Sequence, residues 1–191
     1  MKKITECPTN YILKASYDLK DKKNNLTIQM IFMLIAGISI TLMLIFKFNF
    51  ESEYSAWLNI SITLTLVVIY LAMHELTHGL LISLLSKTKS TYKVRFPFLT
   101  TGTNAFLNKK SFIIVCLGPS VIWGIVFIVS LILVPQNLFL SFYILLVLNF
   151  AGSAGDYLQV HLVSKSSQLS LIKDDGTKTN IYEPVKKEWT I

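Results

Sequence analysis

A His-Glu-x-x-His motif at residues 74–78 lies inside an apolar run from about Trp57 to Leu85, which is long enough to cross a membrane. His74 and His78 are four residues apart, so in a helix both imidazoles lie on one face and can share a metal ion. Glu75 is the only charged residue in the run. It is placed to accept a proton from a water activated by that metal. The motif therefore predicts a zinc site that performs hydrolysis within a bilayer.

A third metal ligand must come from elsewhere in the chain, because a catalytic zinc ion usually has three protein ligands. Asp156 is the only charged residue in the last apolar segment. It lies nine residues before Lys165, and His78 lies nine residues before Lys87. At ~1.5 Å per residue, both side chains are then roughly 13 Å from the first lysine after their helix. This matched depth predicts Asp156 as the third ligand.

The residues before Asp156 suggest how its helix is placed. Three of them are small, namely Gly152, Ser153 and Gly155. We expect these to let the second and fourth helices approach closely. Asn149 is seven residues before Asp156, about two helical turns, and so lies on the same face. Asn149 is a candidate for binding substrate or polarising a carbonyl, and an interhelical hydrogen bond is the alternative.

The composition is typical of a membrane protein, with 52% hydrophobic and 15% charged residues in a chain of 191. Four apolar segments of spanning length predict an all-α integral membrane fold with four transmembrane helices. These segments are Thr27–Phe46, Trp57–Leu85, Ser111–Val134 and Asn137–Val163. We accordingly divide the chain into an N-terminal segment (1–26), a four-helix metallopeptidase-like domain (27–163) and a tail (164–191).

The placement of the net charge of +7 predicts how the chain crosses the membrane. Lysines are frequent in the N-terminal segment, in the loop after the second helix and in the tail, but absent near Pro135. This alternation predicts that both termini are cytoplasmic. The dispersed lysines suit contact with the lipid bilayer, and no nucleic-acid motif accompanies them, so we expect no nucleic-acid partner.

Two polar segments carry hairpin patterns. Within residues 87–110, alternation from Tyr92 to Phe96 predicts a strand, and the glycine in Thr100–Thr103 predicts a turn into a second strand ending near Phe106. This small cytoplasmic β-hairpin between helices 2 and 3 either caps the helices or pairs with an extended substrate beside the site. In the tail, the Asp-Gly pair within Asp174–Gly176 predicts a further hairpin.

These features resemble a known family. The sequence His-Glu-Leu-Thr-His-Gly at residues 74–79, the Gly118-Pro119 helix, the polar hairpin and Gly155-Asp156 are similar to the putative zincin peptidase family of small bacterial four-helix membrane proteins. That family is distantly similar to site-2 proteases, which cleave peptide bonds within membranes using two histidines and an aspartate on zinc. The resemblance implies that His74, His78 and Asp156 bind zinc, that Glu75 is the base, and that the protein resides in a bacterial cell membrane.

The function predicted from the sequence is that of a zinc-dependent intramembrane metallopeptidase acting on membrane protein or peptide substrates. A zinc hydrolase acting on lipid amides or esters would use the same chemistry and is one alternative. A non-catalytic, metal-stabilised membrane scaffold or partner-binding protein is another. Structural zinc usually has four protein ligands and needs no base beside it, so Glu75 favours catalysis.

Overall fold

The computed structural model describes residues 4–95 and 98–185. Its elements in chain order are β1 (Tyr11–Asp18), α1 (Lys22–Ile45), α2 (Ala56–Ser86), β2 (Thr91–Arg95), β3 (Phe98–Gly102), β4 (Leu107–Asn108), α3 (Lys109–Leu133), α4 (Gln136–Gly152), α5 (Ala154–Ser164), β5 (Leu171–Asp174) and β6 (Lys178–Pro184). By length and composition, α1, α2, α3 and the stretch Gln136–Ser164 could each cross a membrane. The prediction of four helices of spanning length is therefore confirmed.

The fourth apolar segment is two helices instead of the single helix that we predicted. α4 ends at Gly152, Ser153 interrupts it, and α5 begins at Ala154. The Ser153 side chain is fully buried, and its hydroxyl donates to the carbonyl of Asn149 at 2.7 Å. Glycines on both sides of the break weaken the helix there. Asp156 consequently lies in the first turn of α5, where the helix dipole favours a carboxylate.

A four-stranded antiparallel sheet in the order β1-β6-β5-β4 lies outside the helices. The predicted tail hairpin is confirmed as β5 and β6. The rest of this sheet corrects the all-α prediction, because β1 pairs with β6 from Tyr11 opposite Pro184 to Asp18 opposite Lys178. A strand whose partner is at the far end of the chain leaves no local signal beyond its own short polar-apolar pattern.

The predicted hairpin between the second and third helices is also present, as β2 and β3, paired from Thr91 opposite Gly102 to Arg95 opposite Phe98. The turn that we expected at Thr100–Thr103 is wrong, because Thr100, Thr101 and Gly102 belong to β3 itself. Threonine is β-branched and favours a strand. Phe96, which we placed in the first strand, lies outside the described residues.

Two buried clusters hold these elements together around the motif. One contains Ile82 of α2 with residues of α3, α5 and the four-stranded sheet, including Phe112 and Ile172. The other contains Tyr70 of α2 with Phe127 and Leu145. The motif at 74–78 lies on α2 between Tyr70 and Ile82, so apolar packing fixes α2 on both sides of it.

A buried lysine fixes the end of α5 to the start of α3. Lys109 is only 7% exposed, and its ammonium group donates to the carbonyls of Ser164 and Ser166 at 2.7 Å each. These carbonyls are at the end of α5, where a cation satisfies acceptors that lack helical partners. α5 and the Asp156 it carries are thereby held against α3.

Candidate metal centre

The three residues predicted as metal ligands lie together between α2 and α5. The Nε2 atom of His74 is 3.6 Å from Oδ2 of Asp156, and Nε2 of His78 is 3.5 Å from Oδ1 of the same carboxylate. The two imidazole rings have centroids 5.0 Å apart. Two nitrogens and one carboxylate thus converge on a single small volume, as the matched depth in the sequence led us to expect. Their role as ligands stays a prediction.

The other ring nitrogen of His78 determines which nitrogen can bind a metal. Nδ1 of His78 lies 3.0 Å from the carbonyl oxygen of Val115. A carbonyl can only accept, so we assign the proton to Nδ1. Nε2 faces Asp156 and is the nitrogen left to bind a metal, which is the arrangement that metal-ligating histidines usually show.

His74 is oriented in the same way by a tyrosine that the sequence reasoning missed. The hydroxyl of Tyr70 is 3.1 Å from Nδ1 of His74 and donates to Oδ1 of Asn149 at 3.1 Å. Because the phenol has one proton, its oxygen accepts from Nδ1 of His74. The available signal was spacing, since Tyr70, His74 and His78 follow one another every four residues on one helix face.

Asn149 lies behind His74, with a fully buried side chain. Its amide nitrogen donates to the carbonyl of Ser120 at 2.8 Å, while its oxygen accepts from Tyr70. Asn149 therefore joins α4 to α3 and α2, which is the interhelical alternative that the sequence left open. Contact with a substrate stays a prediction for this residue.

Glu75 is half-buried and is held by the hairpin. Its Oε2 accepts from the hydroxyl of Thr101 at 2.7 Å, and its main-chain carbonyl lies 3.1 Å from the same hydroxyl. A hydroxyl carries one proton, and the shorter distance is typical of a bond to a carboxylate. Within residues 4–95 and 98–185, Glu75 forms no ion pair. Thr101 is remote in the chain, so no local pattern could have identified it.

The hairpin that carries Thr101 makes two close contacts at glycines, one at Gly79 of α2 and one at its own Gly102. At Gly79, which follows the second histidine, a side chain would overlap the hydroxyl of Tyr92. At Gly102, a side chain would overlap the backbone of Asp175 and Gly176 in the tail turn. The hairpin is therefore pressed against α2 on one side and against the turn between β5 and β6 on the other.

Gly152 and Gly155 do not have the packing role that we expected. A Cβ atom at either position would meet nothing within 4 Å. The close helix contacts occur instead at Gly118, where a side chain would overlap Leu81, and at Gly124, where it would lie 2.8 Å from Phe150. The glycines near Asp156 line open space beside the site.

That space is a cavity of about 670 Å³, onto which the two histidines, Glu75 and Asp156 open. On the side of α1 and α2 its wall is apolar and includes Phe32 and Leu71. On the side of the sheets it is polar and includes Thr100, Thr177 and Asp174. The site thus lies between an apolar wall and a polar wall.

A second buried carboxylate contributes to the charge of the polar wall. Burial raises the pKa of Asp174 to about 6, against the hydrogen bonds from Thr179 and Gly176, and the nearby carboxylates of Asp175 and Asp156 raise it further. Above that pH, Asp174 adds negative charge to the cavity that Asp156 also lines. Negative charge in a partly enclosed space attracts a divalent cation.

The residues present fit a zinc ion. The ligand atoms of His74, Glu75 and His78 all lie within 4.8 Å of one another. The proposed ligands are the Nε2 atoms of His74 and His78 and the carboxylate of Asp156, whose oxygens lie 3.6 and 3.5 Å from them. Two imidazole nitrogens and one carboxylate are a typical donor set for catalytic zinc, which keeps a further position open. Both imidazoles are held by hydrogen bonds through Nδ1, so the site is oriented before any metal enters.

Comparison with known sequences agrees with this geometry. The sequence model of the family described as "Putative zincin peptidase" matches residues 66–170, which include the motif, the hairpin and Asp156. No curated protein and no solved structure matches the chain. The match covers more than half of the chain, and the protein belongs to the putative zincin peptidase family.

Proposed function

We propose that this protein is a zinc-dependent intramembrane metallopeptidase that hydrolyses peptide bonds of membrane proteins or peptides. The observation that carries the proposal is the convergence of His74, His78 and Asp156 beside Glu75, a carboxylate that forms no ion pair with any described residue. Three of these residues are on α2, and Asp156 is on the stretch Gln136–Ser164; both are long and apolar enough to span a membrane. The protein is a multi-pass protein of the cell membrane, with both termini cytoplasmic.

His74, His78 and Asp156 would hold the zinc ion. When bound, zinc supplies a Lewis acid that polarises a carbonyl and lowers the pKa of a water molecule. Glu75 accepts a proton from water at Oε1, because Thr101 occupies Oε2, and later returns that proton to the leaving amine. The hydrogen bonds to Nδ1 keep both imidazoles fixed while this occurs.

The cavity suits a substrate that is apolar yet locally extended. An intact helix hides its carbonyls in its own hydrogen bonds, so the scissile segment must be unwound when it reaches Glu75. The apolar wall with Phe32 and Leu71 would contact its side chains, and the polar wall with Thr177 would contact the exposed backbone. Pairing of such a segment with the hairpin is part of this proposal.

The test combines metal content with hydrolysis in detergent-purified protein. The parent should hold about one zinc per chain, and both His78→Ala and Asp156→Ala should lose it. Glu75→Gln should keep the zinc and lower hydrolysis roughly 10²- to 10⁴-fold, as expected for loss of a general base. His161→Ala is the control, because His161 is exposed on α5 and should change neither zinc content nor hydrolysis.

The substrate panel should contain fluorogenic peptides, transmembrane peptides in micelles, and lipid amides and esters. Full proteolysis by Glu75→Gln with zinc still bound would contradict the mechanism. Hydrolysis of lipids without peptides would move the protein to a different substrate class. Zinc binding without hydrolysis of any of these would favour a metal-stabilised scaffold.

A further inference from the structure

We infer that Pro119 is a positioning residue of the zinc site: by removing one backbone N–H from α3, it leaves the Val115 carbonyl free to hold His78. This inference rests on the proposed zinc site.

The first step concerns the backbone of α3. In an α-helix the N–H of each residue donates to the carbonyl four residues earlier, so position 119 would normally serve the carbonyl of Val115. Pro119 lies inside the continuous helix Lys109–Leu133 and has no N–H. A proline ring in a helix interior also crowds the carbonyl four residues earlier, which here is that of Val115.

The second step concerns the acceptor that is released. Val115 is buried, with its side chain in the cluster that contains Ile82 and Phe112. A buried carbonyl without a donor is costly, so it needs a partner from another element. Nδ1 of His78 is that partner, at 3.0 Å. The hydrogen bond from His78 therefore replaces the helical hydrogen bond that Pro119 cannot donate to the Val115 carbonyl.

The third step concerns how α2 comes close enough. Gly118, immediately before the proline, lies against Leu81, and a side chain at position 118 would overlap it. Leu81 is three residues after His78 and therefore on a neighbouring part of the same helix face. Gly118 thus permits the approach, and Pro119 supplies the acceptor that the approach brings to His78.

The competing explanation is that Pro119 only bends α3 and fills space. The two explanations differ in what they require of position 119. If the bend or the ring matters, every variant without proline at position 119 should bind zinc weakly. If the absent N–H matters, a residue without an N–H should bind zinc as the parent does, even though it lacks the ring.

The test therefore compares three chains that differ at position 119. One is the parent, one is Pro119→Ala, and one carries lactic acid in place of Pro119, introduced by nonsense suppression. Lactic acid has the methyl group of alanine but an ester oxygen instead of the N–H. Zinc affinity is measured by competition with a chromophoric chelator, and Pro135→Ala, at the start of α4, is the matched proline control.

We expect Pro119→Ala to weaken zinc binding roughly 10- to 100-fold, the usual effect of losing an outer partner of a ligating histidine. The lactic acid variant should bind zinc within about threefold of the parent, inside the context-dependence typical of such partner effects. Metal-free Pro119→Ala should unfold at the same temperature as the parent or higher, because alanine is the better helix residue. A general loss of structure in Pro119→Ala would instead lower its zinc affinity and its unfolding temperature together.

Nitrogen-15 NMR of the histidines gives a readout that needs neither metal nor substrate. The chain has three histidines, so the signal of His78 can be assigned with His78→Ala. The Nδ1 proton of His78, which donates to the Val115 carbonyl, should exchange slowly with solvent in the metal-free parent and in the lactic acid variant, and faster in Pro119→Ala.

The inference is overturned if alanine and lactic acid at 119 bind zinc equally, whether both are weak or both match the parent. It is also overturned if the Nδ1 proton of His78 exchanges as slowly in Pro119→Ala as in the parent. A parent that binds zinc but hydrolyses no substrate would contradict the proposed peptidase function, while the zinc and NMR results would still decide the role of Pro119.

Discussion

Each histidine of the metal centre uses one ring nitrogen for the protein and leaves the other facing Asp156. The partners differ in kind, since His78 donates to a main-chain carbonyl and His74 donates to the hydroxyl of Tyr70. Tyr70 is in turn fixed by Asn149 on α4. The ligand geometry therefore depends on residues of three helices, and a change at any of them should reach the metal.

At the same scale, we predict that Thr101→Val lowers kcat roughly 10- to 100-fold without changing zinc content. Valine has the shape of threonine but leaves Oε2 of Glu75 without its donor, so the base loses its fixed position. Thr101→Ser should keep most of the activity. The measurement is steady-state hydrolysis of the substrate found by the panel, together with zinc content.

Thr100→Val is the matched control for this prediction. Thr100 is on the same strand and faces the same cavity, but its hydroxyl lies 3.3 Å from the carbonyl of Lys93 and does not touch Glu75. Its activity should stay within about twofold of the parent, since loss of one exposed hydrogen bond has little effect. Unchanged kcat in Thr101→Val would show that Glu75 needs no support from the hairpin.

At the scale of elements, the position of the β2–β3 hairpin depends on the turn between β5 and β6, which we call the tail turn. The Thr103 amide donates to the Asp174 carbonyl at 2.8 Å, and the Lys93 ammonium group donates to the Asp175 carbonyl at 2.8 Å. Gly102 lies between these contacts. The tail turn therefore fixes β3, and Thr101 of β3 in turn fixes Glu75. These contacts connect the C-terminal hairpin with the site.

Gly102→Ala should accordingly destabilise the protein by about 1–3 kcal/mol, as overpacking does. The added methyl group would overlap main-chain atoms of Asp175 and Gly176, which cannot move aside as a flexible side chain can. Gly37→Ala on α1 is the control, because a side chain there meets nothing within 4 Å, and it should be neutral or stabilise by up to about 1 kcal/mol. The measurement is thermal unfolding in detergent, and equal unfolding temperatures for both variants would contradict the prediction.

At the scale of the whole molecule, the pairing of β1 with β6 brings the two ends of the described chain into one sheet. β4 at the start of α3 joins the same sheet through β5. The beginning of α1, the beginning of α3 and the end of α5 are therefore on one side of the helices. This agrees with the distribution of lysines, from which we predict a cytoplasmic location for that side.

Reporter fusions test this orientation. Green fluorescent protein should be fluorescent when fused to either end, and alkaline phosphatase should be active only when inserted near Ser52 or Pro135, in the two connections on the opposite side. The physical reason is that lysine-rich segments remain on the cytoplasmic side during insertion. Active phosphatase at the C-terminus would contradict the prediction.

The sequence by itself determined the features that depend on local pattern. Helices of spanning length follow from apolar runs, and the pairing of His74 with His78 follows from the helical period. The approach of Asp156 could also be foreseen, because rise per residue converts chain position into depth. The tail hairpin at Asp174–Gly176 was foreseen for the same kind of reason, since turn residues act locally.

Only the tertiary structure decided the contacts that join distant parts of the chain. The β1–β6 pairing, the hold of Thr101 on Glu75 and the open space at Gly152 and Gly155 all depend on which surfaces meet. The sequence does not distinguish a small residue that packs against a helix from one that faces a cavity. Nor does it show whether a hydroxyl lies near a carboxylate. The sequence is therefore sufficient to identify the side chains that can bind metal or transfer protons, whereas tertiary packing decides which neighbours orient those side chains.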